Sequence, residues 1–472
     1  MFRPFRKIVE EAKVIMYHMF GYLDKQQNIL KKTKSVFGGL ISIFLLFEAI
    51  PSSADTRVIS FQTALSVADS ANPEIRNGLS RIRESQQRKK QVASNLLPQL
   101  SASASYAHVG EVPPGKKYLL GNSNDDFYTD ITVKQLLYAG GKYRYQIYAS
   151  DTLTKAEEQK LLQTRRNTRL AVARAYFETV RVKFAVRVQH DFIQRMQSQL
   201  GIAELLFDGG KISNLDVIRL RTQLLSAQSQ LSTLQSQVKT KQFVLAQAIG
   251  IVDTCAVVDS VLSENQDSLP IDQTDLEKEL GQSPEMQNAL STYQKSLLDQ
   301  RIAEADYLPT VSVNAGYNFE GGALIADQPT GVITNNPNWI IGASVNIPIY
   351  RGGSVRAQVA QAHERTLQAE NVINQTTVNL TARLRSSIES VNDKKEKIGL
   401  AKQILQSADE TVRAAELRYS TGKLSAFELI DAQSTFARAQ QDYFNARVDY
   451  RIAIEELAAM CPSLLKSEET LQ

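Results

Sequence analysis

The clearest pattern in the chain has a period of two. Val311, Val313, Ala315, Tyr317 and Phe319 fall on one face of an extended segment; Ser312, Asn314, Gly316, Asn318 and Glu320 fall on the other. Trp339, Ile341, Ala343, Val345 and Ile347 oppose Gly342, Ser344 and Asn346 in the same way, and Phe127, Thr129, Ile131 and Val133 oppose Tyr128, Asp130, Thr132 and Lys134. Successive side chains of a strand point to opposite faces, so this alternation predicts strands near 99–109, 126–137, 310–320 and 338–349. Alternating runs of about ten residues suit strands that cross a bilayer, apolar to lipid and polar to a lumen. A half-buried strand of a water-soluble sheet reads the same way, so pattern alone leaves both open.

The period then changes. No proline occurs between Pro114 and Pro270 or between Pro348 and Pro462, and the stretches 142–207 and 354–420 read as unbroken helices. Each spans about 100 Å at 1.5 Å per residue, too long for a compact domain of this size. A 3-4 spacing follows each stretch. It runs Val217, Leu220, Leu224, Ala227, Leu231, Leu234, Val238, Lys241, Leu245, Ala248 in one case. In the other it runs Leu429, Ala432, Phe436, Ala439, Tyr443, Ala446, Tyr450, Ala453, Leu457, Met460. These are coiled-coil seams, with Lys241 the exception. Pro98 and Pro309 are expected to end the helices before the strands, because proline disfavours helix at the preceding residue.

The whole pattern occurs twice. Asn72-Pro73-Glu74 matches Ser283-Pro284-Glu285, and Leu97-Pro98 matches Leu308-Pro309. With one residue of slippage Tyr138-Ala139-Gly140-Gly141 matches Tyr350-Arg351-Gly352-Gly353, Gly210-Lys211 matches Gly422-Lys423, and Asp216 matches Glu428. The expected organisation is therefore a leader over 1–54, a first repeat over 55–270 and a second over 271–472. Four strands cannot close a barrel, since single-chain outer-membrane barrels start at eight, and an open edge cannot face lipid. If the strands span a membrane, several chains must pool them, and three chains supply twelve. Trp339, Tyr106, Tyr317, Phe127 and Tyr128 are candidates for aromatic girdles, or for ordinary strand packing.

Charge points to export. Lys31, Lys32 and Lys34 precede an apolar run from Val36 to Ile50, and Pro51-Ser52-Ser53-Ala54 follows. That is a secretory signal with an extended basic region, cleaved after Ala54; a membrane anchor is the rival, though the run is short for a bilayer core. Residues 1–54 hold eight Lys/Arg against four acids, so the net charge of +4 resides there and the remainder is neutral. A neutral remainder gives no footprint for nucleic acid. Four histidines, two cysteines and the absence of a nucleophile motif, P-loop or dinucleotide fingerprint leave no metal site, no cofactor and no enzyme reading.

Strand pairs set between long helices, duplicated in an exported chain, resemble the TolC family of outer-membrane efflux channels. The matching residues are Asn72-Pro73-Glu74, Leu97-Pro98-Gln99-Leu100, Tyr138-Ala139-Gly140-Gly141, Phe207-Asp208-Gly209-Gly210, Tyr419-Ser420-Thr421-Gly422 and Glu428-Leu429-Ile430-Asp431-Ala432, over about residues 58–462. The resemblance implies a mainly α fold with membrane β: a homotrimer with one twelve-stranded barrel in outer-membrane lipid and a helical tunnel in the periplasm. It implies a passive duct working with a periplasmic adaptor and an inner-membrane pump or ABC transporter, as in efflux or type I secretion. Residues near 55–70, 251–281 and 463–472 would form a belt around the tunnel. Gly209, Gly210, Lys211, Gly422 and Lys423 would mark the tips that touch the adaptor. Glu428 and Asp431 would form an acidic constriction, where crowding raises some pKa values, and Tyr419 and Asp216 would latch the gate. Leu424 stands where familiar members carry a latch arginine, which leaves the polar latch weaker or replaced by apolar contact. A pore-less periplasmic adaptor or coiled-coil scaffold is the alternative, and two solvated surface acids the bland reading of Glu428 and Asp431.

Overall fold

The structure, a computed structural model, describes residues 57–108, 110–111, 125–252, 255–257, 280–321 and 338–461. The leader over 1–54, most of both strand-to-strand loops and most of the belt segments 251–281 and 463–472 lie outside the described residues.

The order is β1 (Arg57–Ile59), α1 (Phe61–Ala71), α2 (Pro73–Ser94), β2 (Gln99–His108), β3 (Asp125–Ala139), α3 (Lys142–Asp208), α4 (Asn214–Ile249), β4 (Cys255–Val257), α5 (Pro284–Glu304), a 3-10 turn (Ala305–Tyr307), β5 (Thr310–Gly321), β6 (Asn338–Asn346), α6 (Ser354–Ser420) and α7 (Ala426–Met460). Helix, two strands, long helix and shorter helix thus occur twice. The two long helices, α3 and α6, both contain 67 residues.

The four long strands form one antiparallel sheet in the order β2-β3-β5-β6, with the two hairpins joined through β3 and β5. The sheet differs from the sequence expectation at its edges. β3 runs on to Ala139 because, past an irregularity between Leu136 and Tyr138, it keeps pairing with β5. β6 stops at Asn346 rather than 349. Its last partner is Thr310, the first residue of β5, and Pro348 has no N–H to offer a ladder. The preceding helices also end earlier than expected. α2 stops at Ser94 and α5 at Glu304, so a turn separates each helix from Pro98 and Pro309.

The helices pack along their seams. Every seam position of α4 and α7 is buried or half-buried, including Lys241, whose Nζ lies 3.5 Å from a Glu178 carboxylate oxygen on α3. One core joins α1, α3, α4 and α7 through Ala64, Val172, Tyr176, Phe177, Leu245, Ile249 and Val448. A second joins α6 and α7 through Leu384, Ile388, Val391, Ile454 and Leu457.

Gly250 ends α4 at φ +89, in the left-handed region. A Cβ there would sit 2.8 Å from Asn72 Cα and 2.8 Å from Pro73 Cδ, in the motif that opens α2. Asn72 caps α2 through the Glu74 amide at 2.8 Å and donates its side-chain amide to the Ala248 carbonyl at 3.1 Å. We therefore expect Gly250→Ala to destabilise the fold by at least about 2 kcal/mol, combining left-handed strain with backbone displacement. The thermal midpoint of the helical circular-dichroism signal checks this; Gly399→Ala, at an open position inside α6, is the control and should leave it unchanged or slightly raised.

Candidate functional site

The two long hairpins reverse direction with the same chemistry. At the α3–α4 tip the Gly210 amide donates to Phe207 O at 2.8 Å and the Lys211 amide to Leu206 O at 2.9 Å. At the α6–α7 tip Gly422 donates to Tyr419 O at 2.9 Å and Lys423 to Arg418 O at 2.9 Å. Both are Schellman endings, which place a left-handed residue after the helix; Gly210 has φ +66 and Gly422 φ +72. Gly209, by contrast, ends α3 at φ −80, a conformation open to any residue. Lys211 and Lys423 are exposed at these turns.

Each tip is then capped by serine. Ser213 Oγ accepts from the Asp216 amide at 3.3 Å and donates to Asp216 Oδ2 at 2.9 Å. Ser425 forms a full capping box: its Oγ accepts from the Glu428 amide at 3.3 Å, while Glu428 Oε2 accepts from the Ser425 amide at 3.0 Å and from Ser425 Oγ at 2.7 Å. Sequence reasoning found Asp216 and Glu428 as a matched pair but missed Ser213 and Ser425. Their signal was Ser three residues before an acid at a helix start.

These bonds, aided by nearby Arg418, hold the Glu428 carboxyl below its usual range in the single chain. A carboxylate with a lowered folded pKa contributes stability above its unfolded pKa and loses it as pH falls through the lowered value. The protection of the Glu428 amide against hydrogen exchange, corrected for intrinsic rate, should therefore fall as pH drops below the carboxylate range. Ser425→Ala should remove most of that pH dependence; unchanged dependence would separate it from the cap.

Behind the tips lies a core drawn from all four hairpin helices: Phe192, Met196 and Ala203 of α3, Val217 and Leu220 of α4, Ala415 and Tyr419 of α6, and Ala426, Leu429 and Ala432 of α7. Tyr419 is 1% exposed. Burial first, and then the Asp216 carboxylate, push its phenol above the usual tyrosine range. No hydrogen bond joins the two, and the Tyr419 hydroxyl has no partner among the described residues. Leu424 packs on this core beside Ile212 and Ile430. Of the two expectations for Leu424, a weakened polar latch or an apolar contact, the structure has the apolar contact.

Glu428 and Asp431 are both exposed and line one groove of about 780 Å³ between α6 and α7, with Ile404, Arg418, Leu424 and Phe427. Phe427 went unremarked in the sequence because it lies off the seam.

At the other end, no described element covers the apolar face of the sheet. Leu100 is 72% and Trp339 65% exposed, and Ile131, Ile341 and Val345 are exposed on the same apolar face. The register sets Tyr106 opposite Phe127 and Tyr317 opposite Trp339. Tyr138, Tyr307 and Tyr350, also exposed, gather at the helix-side ends of the strands. They form a second aromatic level that the sequence reading left out. β2 and β6 have unpaired outer edges among the described residues. No described helix is long and apolar enough to cross a membrane, and no described group of His, Cys, Asp and Glu is arranged to hold a metal.

The family model described as outer membrane efflux protein matches residues 64–251 and 276–461, one match in each half of the chain. Outer membrane protein TolC of Escherichia coli strain K12 is 23% identical over 400 residues, covering 81% of this chain and 78% of its own. Among solved structures, the CmeC outer membrane channel of Campylobacter jejuni superimposes with a TM-score of 0.72 at 18% identity, over 87% of this chain and 88% of that one. The open state of the Neisseria gonorrhoeae MtrE outer membrane channel superimposes with a TM-score of 0.71 at 16% identity, over 85% of this chain and 88% of that one.

Proposed function

The chain belongs to the outer membrane efflux protein family, and from that premise we propose that it is the outer-membrane duct of a tripartite efflux or type I secretion system. Three copies pool their sheets into one twelve-stranded barrel and their helical hairpins into a periplasmic tunnel. Proteins of this family are channels, and outer membrane efflux factors work with adaptors and inner-membrane pumps. The tips at Gly209, Gly210, Lys211, Gly422 and Lys423 are the proposed adaptor contacts. Glu428 and Asp431 form the proposed constriction, and Tyr419 and Asp216 flank the proposed gate.

The observation that carries this reading is the bare sheet. A four-stranded sheet with one exposed apolar face and two open edges is unstable in water and impossible in lipid as a single copy. Pooling removes the edges, lipid covers the apolar face, and Trp339, Tyr106, Tyr317 and Phe127 on one side, with Tyr138, Tyr307 and Tyr350 on the other, supply the two interfacial belts that such barrels carry. A pore-less scaffold has no use for this face, and the family match sets that reading aside.

Fractionation of expressing cells tests the proposal. The protein should be recovered from outer membranes as a detergent-stable trimer that conducts in planar bilayers. A soluble monomer would overturn it.

A further inference from the structure

The two hairpins of the sheet repeat each other rung for rung. Leu100 stands opposite Val133, Ser101 opposite Thr132 and Tyr106 opposite Phe127 in the first. Their counterparts in the duplicated sequence, Val311 and Val345, Ser312 and Ser344, Tyr317 and Trp339, stand opposite one another in the second. Each residue of β2 thus has a counterpart in β5, and each residue of β3 has one in or beside β6. One joint has no such twin within the chain. β3 meets β5 with Lys134 opposite Asn314, Val133 opposite Ala315 and Thr132 opposite Gly316. The counterparts of these two strands, β6 and β2, lie at opposite edges of the sheet, so the twin of this joint forms only between copies.

We infer that neighbouring copies join in the register of the joint inside each chain, with Asn346, Val345 and Ser344 of one copy opposite Ser103, Ala104 and Ser105 of the next. This rests on the proposed barrel and specifies how it closes. Strands of a closed barrel share one tilt, so the stagger at the two kinds of joint is the same. Three features of the single chain agree. Val345 and Ala343 lie on the apolar face, and so do Ala104 and Tyr106, which stand opposite Thr129 and Phe127; a slip of one residue would set apolar against polar positions. Next, β3 reaches Ala139 because β5 pairs with it past the irregularity between Leu136 and Tyr138. In the twin register β6 likewise continues past Asn346, bringing the exposed Tyr350 opposite Leu100 of the next copy. Pro348 falls at the counterpart of Leu136, beside that irregularity, where a missing N–H is tolerated. Lastly, Gly140, at φ +61, lets the internal corner press on α5: a Cβ there would sit 2.8 Å from Leu308 Cβ. Gly352 has the same backbone conformation, at φ +59, and the counterpart of Leu308 is Leu97, which is exposed at the far edge of the sheet.

Cysteine pairs in the full-length protein, oxidised in isolated outer membranes, test this register. Directly opposed residues on neighbouring strands have Cα atoms about 4.5–5.5 Å apart, within reach of a disulfide; diagonal neighbours two residues away are about 7–8 Å apart. Ser344→Cys combined with Ser105→Cys should convert most chains into covalent oligomers on non-reducing gels. Within one chain β2 and β6 are three strand spacings apart, about 14 Å, so such a bond reports contact between copies. Asn346→Cys combined with Ser103→Cys should behave in the same way, and it tests the same register should the first pair not assemble. Ser344→Cys combined with Ser103→Cys or with Ala107→Cys, on the same face but two residues out of register, should stay largely monomeric on the gel. The parent, with its native Cys255 and Cys461, and the single variants set the background. Preferential bonding of an out-of-register pair, or bonding of neither in-register pair while the detergent-stable trimer is recovered, would overturn the register and leave the duct standing. A parent that yields no trimer would overturn the duct itself.

Discussion

Glu428→Gln combined with Asp431→Asn is expected to weaken block by a trivalent cation at the periplasmic entrance by about tenfold or more, since rings of carboxylates are what concentrates cations in a narrow pore. In a trimer the two positions contribute six carboxylates. The amide variants separate charge from architecture. Glu428 also closes the capping box on Ser425, with its Oε2 accepting from the Ser425 amide at 3.0 Å, and glutamine retains an acceptor that serves the same box. Loss of block with an unaltered resting conductance therefore assigns the effect to charge. Glu428→Ala, which also removes the cap, should add a frayed α7 start and noisier closure. If half-blocking concentrations were the same in the parent and the double amide variant, these acids would not line the constriction. The groove they share with Ile404, Leu424 and Phe427 would then need another role.

Glu455→Ala should cost much more stability than the same change at its neighbour Glu456. Glu455 is 2% exposed on α7. Its Oε1 lies 3.1 Å from Arg451 Nη2 and its Oε2 3.4 Å from Arg169 Nε on α3, so the carboxylate ties the two repeats together inside the helical region. Removing the buried carboxylate breaks charge-assisted bonds to Arg451 and to the solvated Arg169, which costs about 1.5–3 kcal/mol. The neighbouring pair gives the contrast. Glu456, half-buried, lies 2.6 Å from the exposed Arg174, and Glu456→Ala should cost less than about 1 kcal/mol. Thermal midpoints of the purified trimer for the two variants test the difference. Equal midpoints would mean that Glu455 is solvated in the assembly.

Much of this architecture was legible because it is written in periods. The alternation around Val311–Phe319 and Trp339–Val345 became β5 and β6, the seams became the packed faces of α4 and α7, and the double glycines at 140–141 and 352–353 stand directly before the two 67-residue helices. Strand ends were less legible, since they depend on a partner. Nothing within 338–349 says that the ladder stops at Asn346 until Thr310 is known to be its last rung. The tip was legible as positions but not as chemistry. Asp216 and Glu428 could be found by matching the two halves, and Tyr419 by the family resemblance. Whether Tyr419 finds a hydrogen-bond partner depends on what surrounds it in three dimensions, where it meets an apolar core. Glu455 gave no warning either, because a charged residue midway between the seam positions Ala453 and Leu457 reads as solvated until the facing helix brings Arg169 to it.

The join between the two hairpins has a further consequence. Every neighbour in the sheet β2-β3-β5-β6 is antiparallel, and each copy brings an even number of strands. The outer edge of β6 in one copy can then meet the outer edge of β2 in the next without breaking the up-and-down alternation. Such a head-to-tail contact closes only by rotation. Because the strand parity is satisfied for any number of copies, the sheet alone does not fix the stoichiometry. That choice falls to the angle at which neighbouring helical columns meet, so substitutions on the outer flanks of α3 and α6, rather than in the strands, are where a ring of a different size could be made.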